Sequence, residues 1–303
     1  GGMARYIEHG ARRQKRECDA AGRIGEGVAP VVRAGQDWPR AGSDAERADR
    51  VADIAFLASP SPTAQDALAD LSAVYGNCDP TRARAIVALG GDGFMLQTLA
   101  AVQPFDVPVY GMNCGTVGFL MNAFAVEGLE ARLAAAVEEV LNPLAMQAED
   151  AAGRLHEALA INEVSLLREG PQAAKLRILV DGRERLAELV CDGALVATPA
   201  GSTAYNYSAH GPILPIGSEV LALTAVAAFR PRRWRGALVP KGAVVTFEVL
   251  EAEKRPVMAD ADSHHSVRAV RRVTVRSEDR VRHRMLFDHG HGLDERLIAE
   301  QFT

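Results

Sequence analysis

Residues 85–96, Ala-Ile-Val-Ala-Leu-Gly-Gly-Asp-Gly-Phe-Met-Leu, constrain the fold more than any other stretch. A short apolar run enters a glycine turn and leaves it as an apolar, helix-compatible segment. That is a buried strand passing directly into a helix, the start of a parallel βαβ unit. Gly90, Gly91 and Gly93 permit φ > 0 and let a ligand approach the backbone closely. The free N–H groups that open the following helix favour an anion there. Asp92 sits among these glycines, where a bare carboxylate repels phosphate. It is the acid of an ordinary Asp-Gly turn, a metal ligand, or a base that takes a proton from an attacking hydroxyl.

The neighbouring segments fit the same architecture. A strand at 54–58 precedes the turn Ser59-Pro60-Ser61-Pro62 and a helix from about 63 to 75. Ala64, Ala67, Leu68, Leu71 and Val74 share one face of that helix, and Gly76-Asn77 ends it. A third strand, 107–110, opens into the second glycine loop, 111–120. The spacing predicts a single helix over 127–141, with Leu129, Leu133, Ala136, Val137, Val140 and Leu141 facing inward. Alternating strands and helices pair in parallel, so both glycine loops face one rim, where open α/β sheets bind ligands. Residues 1–52, rich in Gly, Arg, Ala, Asp and Glu without a sustained period, read as a disordered extension.

After Pro143 the texture changes. Segments 155–167, 175–181, 185–190, 194–198, 243–251 and 267–276 read as strands. Residues 221–229 read as a buried segment of open type, and 293–302 as a helix packing back on the first domain. The chain thus divides at about residue 143 into an α/β domain, 53–143, and a β-rich domain, 144–288.

Composition narrows the function classes. With 48% hydrophobic and 24% charged residues, the chain has the make-up of a soluble globular protein, and its net charge of −5 gives no nucleic-acid surface. Cys18, Cys78, Cys114 and Cys191 are scattered without a C-x-x-C pair, which suits reduced thiols in the cytoplasm and no zinc site. No apolar run reaches the length of a membrane-spanning helix.

A second cluster of polar residues lies in the β-rich half. Asn162 and Glu163 interrupt an apolar strand, where one of two adjacent side chains is normally buried. Burial without partners costs a few kcal/mol, so a ligand or an internal partner must satisfy them. Asp192-Gly193 is a turn before the strand at 194–198. The following run, Thr198-Pro199-Ala200-Gly201-Ser202-Thr203-Ala204-Tyr205, is small and hydroxyl-rich. It suits a flat or sugar-like ligand, or a helix entry capped by Ser202 or Thr203. No G-x-S-x-G elbow supports a nucleophilic serine, and His210, His264 and His265 read as local hydrogen-bonders.

Taken in order, Gly90-Gly91-Asp92-Gly93, Asn113-Cys114-Gly115-Thr116-Val117-Gly118-Phe119-Leu120, Asn162-Glu163, Asp192-Gly193, the run from Thr198 to Tyr205, and Ser208-Ala209-His210-Gly211-Pro212 resemble the NAD kinases of bacterial type. The resemblance covers about residues 53–302. It implies an N-terminal Rossmann-like α/β domain, a C-terminal β-sandwich domain and a site between them. It implies transfer of phosphate from ATP, or polyphosphate, to the 2′-hydroxyl of the adenosine ribose of NAD. Asp92 would then be the catalytic base, and Gly90, Gly91 and Gly93 the phosphate-donor loop. NAD would contact Asp92, Gly93, Asn162, Glu163, Asp192, Ala200, Thr203, Ala204, Tyr205, Asn206, Tyr207, Ser208 and Asp262; Asp260 is close enough to leave the last register open. Mg²⁺ or another divalent cation would arrive with ATP, and no protein metal site is implied. A homodimer or homotetramer is implied, with NAD contacts drawn partly from the neighbouring subunit. Two positions depart from the family: Cys114 stands where relatives usually carry Arg, and Ala200 where Thr or Ser is common. A lipid or sugar kinase sharing the first loop, and a non-catalytic dinucleotide sensor, are the competing readings. The intact Asp92 weighs against the sensor, and the polar Asn162-Glu163 pair against an acyl ligand.

Overall fold

The computed structural model describes residues 53–115, 118–232 and 234–290; the segment 1–52 and the expected helix at 293–302 lie outside the described residues. The chain begins β1 (Ile54–Ala58), α1 (Pro62–Tyr75), β2 (Ala85–Gly90), α2 (Asp92–Val102), β3 (Val109–Asn113), α3 (Leu129–Ala135) and β4 (Val137–Leu141). It continues β5 (Leu144–Asp150), β6 (Leu155–Ala160), β7 (Glu163–Arg168), β8 (Ala174–Val180), β9 (Arg183–Cys191), β10 (Gly193–Ala197) and α4 (Tyr205–Ser208). The last strands are β11 (Val220–Val226), β12 (Gly236–Pro240), β13 (Val245–Val249), β14 (Val257–Ala261), β15 (His265–Val267), β16 (Val270–Ser277) and β17 (His283–Phe287).

The first sheet is mixed, in the order β1-β2-β3-β17-β4. β1, β2 and β3 run parallel, as the alternation of strands and helices requires. All six residues of β2 are buried, which is why that strand is a continuous apolar run without alternation. Ser61 caps α1 through its hydroxyl, and Gly76, at φ 73°, ends it. The faces of Ala64, Ala67 and Leu71 are buried as expected, while Val74 lies outside the contact and is 61% exposed.

The helix expected over 127–141 is corrected: α3 stops at Ala135, and β4 follows as an edge strand antiparallel to β17. Leu129, Leu133 and Leu141 are buried, but Val137 and Val140 are exposed. Two valines within five residues suit an extended edge better than a helix. β17 is the chain's return into this sheet, parallel to β3, so 283–287 join the first sheet and not the β-rich segment 144–288 to which the sequence assigns them. Asn122, almost fully buried, ties that return in place. Its amide donates to the carbonyls of Gly111 and Leu286, and its oxygen accepts the Asp288 N–H.

The other strands form two six-stranded sheets, β12-β11-β10-β7-β14-β15 and β6-β5-β16-β13-β8-β9. Every pairing within them is antiparallel. They share one core, in which Val164, Val196 and Leu223 of the first meet Ile178, Phe247 and Val273 of the second. The strand expected over 155–167 is two strands in different sheets, broken at Ile161-Asn162. The strand expected over 267–276 is likewise divided, at Ala269 with φ 51°. Of residues 221–229, of open type in the sequence, 221–226 lie in β11 and 227–229 follow it.

Candidate active site

β2 ends at Gly90 and α2 begins at Asp92 itself, so the carboxylate sits in the first helical turn. Positive φ is not what the glycines supply here. Gly91 has φ −123°, and neither Gly90 nor Gly93 is among the glycines with positive φ. Gly90 is required because a Cβ there would stand 2.9 Å from the Phe94 Cβ, whereas Gly91 and Gly93 face open space. The second glycine loop lies against the first, as the shared rim predicts. Asn113 pairs with Gly90, and the Cys114 N–H donates to the Gly90 carbonyl at 2.8 Å.

Asp92 joins the two loops. Its Oδ2 accepts the Phe119 N–H at 2.8 Å and its Oδ1 the Leu120 N–H at 2.9 Å. Gly118 permits this approach, since a Cβ there would come within 2.9 Å of Asp92 Oδ1. A carboxylate offers about four lone-pair sites; two hold the loop, and two remain for a hydroxyl or a cation.

The break between β6 and β7 carries the second group of candidate residues. Asp262, at φ 52°, points its carboxylate into three successive N–H groups. Oδ2 accepts Ile161 at 2.5 Å, and Oδ1 accepts Asn162 at 2.9 Å and Glu163 at 3.0 Å. Burial raises the Asp262 carboxyl, and these three donors counter it. Glu163 opens β7 and is 8% exposed. Its carboxyl is pushed up to about 8 by burial first and by the charges of Asp262 and Asp260, against a hydrogen bond from the Tyr205 N–H. Asp260, not Asp262, takes the Ser266 hydroxyl.

The hydroxyl-rich run proves to be largely self-satisfied. The Thr198 hydroxyl donates to the Ile161 carbonyl at 2.7 Å and accepts the Gly201 N–H at 3.0 Å. Gly201 has no room for a Cβ, because one would overlap the Asn162 backbone. Ser202 is fully buried, donates to the Pro199 carbonyl and accepts the Leu214 N–H. Asn206 is fully buried too. Its amide donates to the carbonyls of Ser202 and Pro212, and its oxygen accepts the Thr224 hydroxyl at 2.6 Å. That leaves the Asn206 side chain no accessible group for a ligand. Ala200 is buried as well, and it packs with Ile161 into the first sheet's cluster beside Met95, Leu120 and Met121. This shared packing fixes the β6–β7 break next to the Asp92 loops.

Thr203, Ala204 and Tyr205 are half-buried, and Tyr207 and Ser208 are exposed. Tyr205 packs on Leu195, Ala197 and Ala222, and burial raises its phenol, as do the charges of Glu163 and Asp192. Asp192 stands at the other end of β10 from the Glu163 break, since Ala197 pairs with Glu163 and Gly193 with Leu167. A strand of that length spans roughly 16 Å, and Asp192 is paired there with Arg168 at 2.5 Å. Cys114 lines a cleft of about 350 Å³ with Thr63, Asp66, Asp70 and Asn113, and burial raises its thiol. The part played by the N–H groups of Phe119 and Leu120 is not legible in the sequence; only the backbone contacts reveal it.

Comparison with known proteins places the chain in a family. Residues 42–144 match the family model of the ATP-NAD kinase N-terminal domain, and residues 161–282 that of the ATP-NAD kinase C-terminal domain. An NAD kinase of Cereibacter sphaeroides is 68% identical over 250 residues, covering 82% of this chain and 98% of that protein. An NAD kinase of Caulobacter vibrioides is 59% identical over 251 residues, covering 82% and 96%. In fold, the chain is similar to a yeast NADH kinase solved with NADH, at a TM-score of 0.69 and 20% identity over 82% of this chain and 86% of that one. It is also similar to an NAD kinase from Archaeoglobus fulgidus solved with ATP, at a TM-score of 0.64 and 24% identity over 82% and 97%. With both domain models matched and a relative this similar along nearly its whole length, the chain belongs to the NAD kinase family.

Proposed function

We propose that this chain transfers the terminal phosphate of ATP to the 2′-hydroxyl of the adenosine ribose of NAD, giving ADP and NADP. The family membership supports the reaction. The observation that carries the residue assignment is Asp92, held at the start of α2 by two loop N–H groups with lone pairs to spare.

In this reading Asp92 accepts the proton of the ribose hydroxyl. The hydroxyl oxygen attacks the terminal phosphorus, the bond to the bridging oxygen breaks, ADP leaves, and the proton passes to Asp92 as the new bond forms. In a loose phosphoryl-transfer transition state the proton moves late, so holding hydroxyl and phosphate in line carries most of the rate gain. Gly91 and Gly93 leave the backbone open to the donor phosphates, with Gly90 shaping the turn. A divalent cation travels with the donor as part of that substrate. NAD is bounded by Gly93, Asn162, Glu163, Thr203, Ala204, Tyr205, Tyr207 and Ser208, with Asp262 holding the β6–β7 break in shape. Ala200 and Asn206 serve by packing beneath that wall.

The two sheets with a shared core read as a β-sandwich, and the first sheet as a Rossmann-like α/β domain. We also infer a homodimer or homotetramer, with NAD contacts drawn partly from the neighbouring subunit, which the resemblance to the NAD kinases supports. The test of the reaction is formation of NADP from NAD by the purified protein with Mg²⁺, run with ATP and with polyphosphate. Phosphate found on any position other than the adenosine 2′-hydroxyl would overturn the assignment.

A further inference from the structure

Three carboxyl groups meet at the β6–β7 break, more than the donors around them can satisfy. Asp262 is provided for by its three N–H groups. The other two are not: Glu163 Oε2 and Asp260 Oδ1 are both buried acceptors without a donor. Their placement follows from register. Asp260 pairs with Ser165 across β7 and β14, and side chains alternate along a strand, so Glu163, Ser165 and Asp260 share one face. Glu163 and Asp260 are therefore diagonal neighbours, within reach of each other for side chains of this length. That face lies opposite the shared core, where Tyr205 closes over Leu195 and Ala197.

Buried like charges side by side cannot all be ionised. One proton relieves the crowding and turns an acceptor into the donor that both orphaned oxygens lack. Glu163 is the group placed to hold it. Burial first, then the charges of Asp262 and Asp260, push its carboxyl up to about 8, against the opposing effect of the Tyr205 backbone. The remaining charged neighbours leave this order intact. His264 acts on Asp262, Asp192 acts on the Tyr205 phenol, and Ser266 holds the far oxygen of Asp260.

We propose that Glu163, within the NAD-binding wall, works as a neutral carboxylic acid, its retained proton allowing Asp260 and Asp262 to stand beside it and keeping the Asn162–Tyr205 wall of the site closed. When the proton leaves, Glu163 repels both neighbours and the wall loosens. NAD binding then weakens without any change in NAD, which carries no group that titrates near neutral pH. This inference rests on the NAD-binding reading above.

The test is the dissociation constant for NAD, measured by calorimetry without ATP between about pH 6 and 9.5. For the wild type we expect constant affinity up to the region of pH 8 and then a loss of about tenfold per pH unit. Glu163→Gln, which keeps the shape and cannot ionise, is expected to bind with no such pH dependence. Asp260→Asn removes one of the charges that holds the proton on, so its affinity should begin to fall at lower pH than in the wild type. Wild-type affinity that is flat across the range, or an unchanged alkaline fall in Glu163→Gln, would overturn the inference while leaving the function standing. Absence of NAD binding at every pH would overturn the function reading and the inference with it.

Discussion

Replacing Glu163 by Gln should stabilise the protein, and by an amount that grows with pH. Glu163 is 8% exposed and its carboxyl lies near 8 in the fold, against an ordinary value of 4.5. Below 4.5 both the folded and the unfolded chain hold the proton, and the group imposes no pH-dependent penalty. Between 4.5 and about 8 the unfolded chain releases the proton and the fold does not, so stability falls as pH rises. The loss is about 1.4 kcal/mol per pH unit, or roughly 3 kcal/mol by pH 7. Above 8 both states are ionised and the penalty levels off. Glutamine retains an acceptor for the Tyr205 N–H and does not titrate. Urea unfolding followed by circular dichroism at about pH 5, 6, 7 and 8 should show the variant drawing ahead of the wild type by about 1 kcal/mol or more per unit. Titrating groups that do not interact with Glu163 are common to both chains and cancel in the difference. A difference that stays constant with pH would refute the neutral-acid account. If the variant is more stable and binds NAD less tightly, the site keeps this carboxyl at the expense of stability, as functional sites commonly do.

Other expectations test neighbouring parts of the site. Gly118→Ala pushes a methyl against Asp92 Oδ1, and turnover should fall at least about tenfold through a misplaced carboxylate while NAD affinity changes little. Gly201→Ala overlaps the Asn162 backbone and should lower stability by about 1–3 kcal/mol or more and weaken NAD binding, measured by thermal unfolding and calorimetry. Asp262→Ala leaves three N–H groups without their acceptor, which should remove about 3 kcal/mol of stability in urea titration. Asn206→Ala strips partners from Thr224, Ser202 and Pro212; it should cost about 2–3 kcal/mol in the same assay while wild-type affinity for NAD survives in the folded fraction.

The parts of this structure that are legible in the sequence are those written in local pattern. The passage of β2 into α2 is set by an apolar run that meets glycines, and the pairing of Gly90 with Asn113 follows from two such loops at the ends of parallel strands. The alternation in β8 is equally plain. What misleads is local pattern that two structures share. Leu133, Val137 and Leu141 recur at helical spacing, yet β17 arrives from 140 residues further on to pair with β4, and that tertiary contact decides for a strand. The corner at Ile161-Asn162 is invisible for a similar reason, because Asp262, about a hundred residues away, turns the chain there. In the site, residue type alone does not separate ligand contacts from internal ones. Asn206 and Ser202 have the polarity of binding residues, and their hydrogen bonds are nevertheless spent on the loop they stand in.

The most direct test of the whole account is NADP formation from NAD, ATP and Mg²⁺ by the wild type beside Asp92→Asn, with NAD affinity measured on both. Asparagine keeps an acceptor for one of the two loop N–H groups and offers an amide to the other, so binding reports whether the clamp survives. The account predicts NADP from the wild type, and turnover lost in the variant with NAD still bound. Near-wild-type turnover in Asp92→Asn, or no NADP from the folded wild type with either ATP or polyphosphate, would contradict it.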